Sequence, residues 1–433
     1  MARPYSLDTQ GQFTEKSLLA YRPMARAEWL LSQRVRTRLL GEGEGLFLAN
    51  PAPAPFSGWV RMIATCLRDH YQSLEDPKTG ARMKLYFEPG IEPWGRPQKP
   101  EDLSREDISA TFPDNASNKM AKFCVERLPG NTLQRLRLST NSIEADPAPG
   151  PTTPEVRTDA TGWPVSATWP GMPQPLFLEG SGDLAAVKVE GFAPRHVLAD
   201  IRGQRGEARD RMRQERLQEV TATAEGPAVR QETPHTILWT QALRHPRLQW
   251  ATRVVEIWKR EPRARFTLRL NRLSSAAPEI LYLDFPLPTG DTLPRLSSGG
   301  QSFTPFADQL AGTCRDYFAI DGWADYATSA GRWLWVSRDA PLITFGASPT
   351  LALRQAPPKD VHRLRAMLFN NFWYTNFVAD EHGIMEFQFD LIWQKEANGP
   401  APDLAEALAM DPAVLINPDG QEDPRVLRDL YQP

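Results

Sequence analysis

Apolar residues along this chain recur mostly at every second position, in short runs cut by proline, glycine, asparagine and aspartate; that period predicts β-strands. The clearest case is Met385 to Gln394. There Phe387, Phe389, Leu391 and Trp393 point one way, and Glu386, Gln388, Asp390 and Ile392 point the other. Trp250, Thr252, Val254, Glu256 and Trp258 share one strand face, and Phe266, Leu268 and Leu270 share another. Further strands are expected at Gly58 to Met62, Pro175 to Leu178 and Ala186 to Val189. One stretch departs from period two. Between Thr14 and Leu40, the residues Leu18, Tyr21, Ala25, Trp29, Leu31, Val35 and Leu39 recur mostly at steps of three and four. This spacing predicts an amphipathic helix, kinked or divided at Pro23 and stopped by the glycines that begin at Gly41. Its apolar stripe calls for partner helices that the sequence does not supply.

These elements predict a mainly β protein with two antiparallel β-sandwich domains preceded by an N-terminal helix. The expected division is a helical segment at 1–45 (the end of a helical bundle), a first sandwich at 46–201 and a charged connector at 202–219. A larger sandwich follows at 220–395, then a tail at 396–433 with a short helix from Asp403 to Met410. The proline-rich run at 147–154 is a surface segment or linker. In the connector, acids alternate with bases, which suits a solvated helix better than a nucleic-acid patch.

Composition narrows the function classes. Forty prolines suit many turns between short strands rather than long helices. A net charge of -3 exerts no pull on nucleic acid or anionic lipid. No apolar run approaches the roughly 20 residues of a membrane span, and the first residues lack the apolar core of a secretory signal. Cys66, Cys124 and Cys314 are odd in number and lack a CxxC spacing, so reduced, buried thiols and a cytoplasmic location are expected. Thirteen tryptophans serve either as core packing or as planes for stacking sugars.

Catalytic motifs are missing. No histidine forms HxH, HxD or HExxH with a neighbour, and there is no GxSxG, P-loop or GxGxxG after a strand. No catalytic residue or metal ligand is therefore assigned. Two polar clusters carry the remaining chemistry. Arg315, Asp316 and Tyr317, with Asp321 and Asp325 close behind, could provide carboxylates and a counter-charge for glycoside chemistry, or an internal pair that fixes a loop. Asn370, Asn371, Trp373, Thr375 and Asn376 mix amide donors and acceptors with aromatic planes, as sugar recognition requires; the competing reading is a turn whose amides bond to their own backbone.

The run from Phe369 to Phe377, with Glu386-Phe387-Gln388-Phe389 soon after, resembles the terminal sandwich of glycoside hydrolase family 38-like proteins of the α-mannosidase type. Those proteins carry an Asn-Asn-x-Trp-x-Thr-Asn signature before a Phe-rich strand. Asn50-Pro51 ahead of Gly58-Trp59-Val60 resembles their Asn-Pro strand, and Asp159 to Val165 resembles their Asp-Gly hairpin. The resemblance implies a galactose-mutarotase-like supersandwich as the second domain. It also implies that the zinc site and catalytic Asp belong to an N-terminal barrel with no counterpart in these residues, so no cofactor is assigned to this chain. The expected function is the non-catalytic, active-site-completing β-sandwich portion of such a glycosidase, inactive alone. Expected partners are carbohydrate and either an upstream-encoded catalytic barrel or a second copy joined through the N-terminal helix. Two alternatives stay open: a stand-alone carbohydrate-binding or scaffold protein, and an independent hydrolase using Asp316 and Asp321.

Overall fold

In a computed structural model, the described residues are 45–63, 71–89, 119–143, 153–178, 184–192, 217–275, 279–346, 354–371, 381–395 and 401–417, with Arg26 and Leu30. The predicted helix at Thr14 to Leu40 lies outside them except at Arg26 and Leu30, both helical and exposed. The first strands are β1 (Gly45–Asn50), β2 (Phe56–Ile63), β3 (Ser73–Glu75), β4 (Arg82–Lys84), β5 (Tyr86–Pro89), β6 (Lys119–Leu128) and β7 (Thr132–Ser139). Next come β8 (Glu155–Thr158), β9 (Pro164–Thr168), β10 (Ala186–Phe192), β11 (Leu217–Thr221), β12 (Thr223–Ala224), β13 (Val229–Glu232), β14 (Thr236–Arg244), β15 (Leu248–Trp258) and β16 (Arg263–Arg272). Then follow β17 (Glu279–Pro286), β18 (Arg295–Ser298), β19 (Gln301–Phe303), β20 (Phe318–Ala319), β21 (Trp323–Thr328), β22 (Gly331–Ser337), β23 (Leu342–Phe345), β24 (Arg363–Asn370) and β25 (Gly383–Gln394). Helix α1 (Ala401–Ala409) and β26 (Ala413–Asn417) come last. The fold is mainly β, as the periodicity requires.

The chain divides into two compact units. One comprises 149–409, and the other comprises 6–148 with 410–433. The smaller unit stacks a sheet of order β26-β1-β7-β3-β4 on a sheet of order β2-β6-β5. Its core is Leu46 and Leu48 from β1, Val60 and Met62 from β2, and Phe123 and Val125 from β6. Asn50, at the end of β1, donates to the carbonyls of Ala54, Leu128 and Pro129 and so pins the turn that follows.

The larger unit is an antiparallel sandwich. One layer runs β11-β10-β17-β24-β23-β20; the other is ten-stranded, β12-β14-β15-β16-β25-β22-β21-β18-β19, with β13 on β14. Alternation sorts the side chains. Phe266, Leu268, Phe389, Leu391 and Trp335 from one layer meet Leu281, Leu283, Phe285 and Ala366 from the other. Phe285 is the hub, its ring 5.4 Å from Phe266, 5.5 Å from Trp335 and 5.1 Å from Phe389. Close ring contacts of this kind add to the area term. The Asp159 hairpin, β8–β9, closes on itself: Asp159 Oδ1 accepts from the Thr161 and Trp163 amides, and Trp163 is fully buried. At the β21–β22 turn, Gly331 has φ 122°, and a Cβ there would overlap the Trp393 indole.

The division differs from the expected one in two places. The β8–β9 hairpin and β10 belong to the larger unit, because β10 is hydrogen-bonded between β11 and β17. The tail is not peripheral, since Ala413 to Asn417 pair with β1. Leu176 and Phe177 are buried core residues but form no strand. Part of the charged connector, 217–219, is the start of β11. The thiol expectation also needs correction: Cys314 is exposed and Cys124 half-buried, neither in a disulfide, while Cys66 lies outside the described residues. No helix among the described residues is long and apolar enough to cross a membrane.

Candidate functional site

Strand β24 ends at Asn370 in one sheet, and β25 begins at Gly383 in the other, so the asparagine-aromatic run is a connection between layers. Asn370 is half-buried and pairs in register with Ile280. Asn371 is buried, and its amide is used inside the protein. Its Oδ1 accepts from the Glu279 amide at 2.5 Å, its Nδ2 donates to the Ser275 carbonyl at 3.3 Å, and its backbone N–H donates to the Glu279 carbonyl at 3.1 Å. The asparagine thereby extends the β17–β24 ladder by one further rung. Trp373, Thr375 and Asn376 lie outside the described residues.

Both feet of this connection rest on Arg272, the last residue of β16. Its Nη2 binds Glu279 Oε1 at 2.5 Å, its guanidinium lies 3.6 Å from the Phe369 ring centroid, and its Nη1 donates to the Glu381 carbonyl. Arg247 Nε holds the other oxygen of Glu279 at 3.0 Å. Beside Arg247, His245 Nδ1 accepts the Arg247 amide at 3.0 Å, and burial pushes this imidazole below its ordinary pKa. Glu279 and Arg272 are almost fully buried, so this is a charge-assisted clamp screened from water. Nothing in the sequence couples Arg272 to Glu279. The available hint was an arginine closing an apolar alternation, beside an acid opening one.

The second cluster sits elsewhere. Asp316 is buried; its Oδ1 accepts from the Arg354 amide at 2.9 Å, and its carbonyl accepts from Thr344 Oγ1 at 2.6 Å. Arg315 does not pair with Asp316 but donates to the carbonyls of Gln355 and Gln309 at 2.9 and 3.3 Å. Burial lowers the Arg354 pKa, and Asp316 is the largest of the charges opposing that effect. Burial raises the Tyr317 hydroxyl, with Cys314 next to it adding to the rise. Asp321 Oδ2 accepts from the Gly300 amide, and Asp325 makes two bonds to Arg332. Each of these carboxylates holds a loop or strand in place.

Strand register separates the two clusters. Thr344, which holds Asp316, is paired with Arg365, whereas Asn370 lies at the far end of the same strand. At roughly 3.3 Å per residue, that puts about 17 Å of strand between them. The structure thus joins Asn370 and Asn371 to Arg272 and Glu279, and does not join them to Arg315, Asp316 and Tyr317.

Near the Arg365 end of β24, one face of the six-stranded layer is ionic. Asp284 meets Arg365 at 2.8 Å, Arg363 at 2.5 Å and Lys188 at 3.3 Å, and Glu219 meets Arg365 at 2.5 Å and Lys188 at 3.2 Å. Burial alone would raise Asp284, but Arg365, Arg363 and Lys188 together hold it below the usual carboxylate range. The network ties β10, β11, β17 and β24 through side chains as well as backbone. Among the described residues, no three His, Cys, Asp or Glu side chains gather as a metal site would need.

No family model matches the sequence, and no curated protein does either. Among solved structures, the chain is similar to an alpha-mannosidase from Enterococcus faecalis V583, with a TM-score of 0.51 and 11% identity over 89% of this chain and 48% of that one. It is also similar to a protein in the glycosyl hydrolase family 38 from Enterococcus faecalis, with a TM-score of 0.50 and 12% identity over 88% of this chain and 48% of that one. At such identity the shared property is the fold. This chain spans about half the length of the structures it matches, and over that half it shares their fold.

Proposed function

We propose that this chain is the non-catalytic, C-terminal β-sandwich portion of a family 38-like glycoside hydrolase of the α-mannosidase type, contributing carbohydrate contacts to an active site whose nucleophile lies elsewhere. The observation that carries this reading is the fold match, which takes in 89% of this chain and only 48% of an α-mannosidase. The composition of the Asn370 to Asn376 run supports it, since Asn370, Trp373, Thr375 and Asn376 supply the amide, hydroxyl and ring chemistry that sugar recognition uses and Asn371, fixed by Glu279, is the foot of the run. Arg315, Asp316 and Tyr317 brace a separate loop and orient substrate only indirectly. Glycoside hydrolysis needs a positioned acid and a nucleophile, and the carboxylates described above are committed to arginines, lysine or backbone amides. The cytoplasm is the compartment that suits Cys124 and Cys314 as reduced thiols outside any disulfide.

The test uses the purified chain with an aryl α-mannoside, with and without added zinc. The expected result is no turnover above background, together with measurable binding of α-mannosides by calorimetry. Binding should weaken in Trp373→Ala while the thermal melt stays unchanged. Robust zinc-dependent hydrolysis would sink the non-catalytic reading, and failure to bind any α-mannoside would sink the carbohydrate reading.

A further inference from the structure

The outer face of the ten-stranded layer is covered on one side and open on the other. Helix α1 packs Ala405 and Leu408 onto Trp323, Leu334, Val336 and Ile392. Over the first half of β15, the second half of β16 and the first half of β25, the same face is half-exposed. Register arranges its side chains in three rows across the strands. They are Trp250–Asn271–Ile384, Thr252–Arg269–Glu386 and Val254–Thr267–Gln388.

Four features single out the first row. The β15–β16 register shifts between Leu248 and Trp250, making Gln249 an extra residue; such a bulge re-aims the side chains beside it. Gln249 Oε1 accepts from Asn271 Nδ2 at 2.7 Å, which leaves an amide donor and an amide acceptor facing outward. Trp250 is half-exposed, and among the described residues its indole has no hydrogen bond and no ring partner. Ile384, half of its surface open, continues the row on the next strand.

Charge decides what this platform fits. The cation and carboxylate in the second row, Arg269 and Glu386, bind each other, and Gln388 Nε2 adds a bond to Glu386 at 2.7 Å. With its charges cancelled, the platform offers no counter-charge to a polyanion. With hydroxyls and amides around one indole, it is too polar for the core of a stable protein interface. A flat ring flanked by uncharged donors and acceptors matches the apolar face and hydroxyl rim of a sugar.

We propose that the Trp250–Asn271–Ile384 row is a secondary binding platform for a neutral oligosaccharide. The ligand class rests on the carbohydrate reading above; the site itself does not. Calorimetry with methyl α-mannoside and with a linear manno-oligosaccharide of five units separates the two. The intact chain should bind the oligosaccharide about tenfold more tightly than the monosaccharide, as one added stacking contact allows. Trp250→Ala should abolish that increment and leave monosaccharide affinity unchanged, and Trp250→Phe should keep most of it. A half-exposed position permits all three proteins to fold, which the thermal melt checks. An increment that survives in Trp250→Ala, or is missing from the intact chain while the monosaccharide still binds, overturns the platform alone. Absence of binding to either ligand overturns both readings.

Discussion

Asp390 shows what a single residue does in this sandwich. It is fully buried on the outer face of the ten-stranded layer, with Arg263 Nε at 3.2 Å, Arg265 Nη2 at 3.1 Å and Arg338 Nε at 3.7 Å. Burial alone would raise its pKa, but Arg265, Arg263 and Arg338 outweigh that and hold it at about 2. Removing one partner of a buried ion pair strands the others, and Asp390→Asn should cost about 3–5 kcal/mol; urea unfolding at neutral pH measures it. The sign of the pH dependence follows from the same shift. A carboxyl depressed in the folded state stabilises fully above its unfolded pKa and loses that contribution as pH falls through the folded one. The intact protein should therefore lose stability between roughly pH 4 and pH 2, and Asp390→Asn should show a shallower slope over that window. At this scale the sequence was informative about type and silent about partners. Asp390 reads as the polar face of a clear strand, and Asn371 as part of an unusual amide-aromatic run. That Asp390 meets three arginines, or that Asn371 serves Glu279 rather than solvent, depends on which strands lie side by side, which residue types do not encode.

At the level of elements, local pattern and tertiary pairing divide the work. β16 and β25 were legible because each alternates over seven residues or more with one fully apolar face, and β15 because its aromatic and β-branched residues recur at every second position. Helix α1 was legible because Leu404, Ala405 and Leu408 return at helical spacing, and those residues are the ones that pack. β26 was not, since five residues in a Pro- and Asp-rich stretch become a strand only by pairing with β1. Leu176 and Phe177 failed in the opposite sense. Their apolar run signalled burial correctly, but the prolines around them deny it a ladder. Helix α1 also yields a test. Leu408 is buried against β21 and β22, and Leu408→Ala should cost about 2–4 kcal/mol with a cavity left beneath the helix. A loss under half a kilocalorie in the same urea experiment would mean that the helix is not docked.

For the molecule as a whole, the chain path matters more than the sheet count. The smaller unit begins and ends far apart in sequence. Its five-stranded sheet has β26 as one edge, in register with β1 from Gly45↔Asn417 to Ala49↔Ala413. Truncation after Ala409 should therefore expose β1 as an apolar edge and destabilise the unit built on residues 45–139, while the core around Phe285 remains intact. Scanning calorimetry of the full and shortened chains would show this as one transition moving down and one staying in place; equal shifts of both would contradict it. The same pairing imposes a schedule on synthesis. β7 leaves the ribosome long before β26 does, and at roughly 5–20 residues per second the interval is about fifteen seconds to a minute. Over that interval the larger sandwich is added strand by strand, whereas β1 keeps an unfilled edge until β26 arrives. Of the two units, the one begun first is thus completed second, and a nascent-chain chaperone or a neighbouring ribosome's product has that long to reach the edge before β26 closes it.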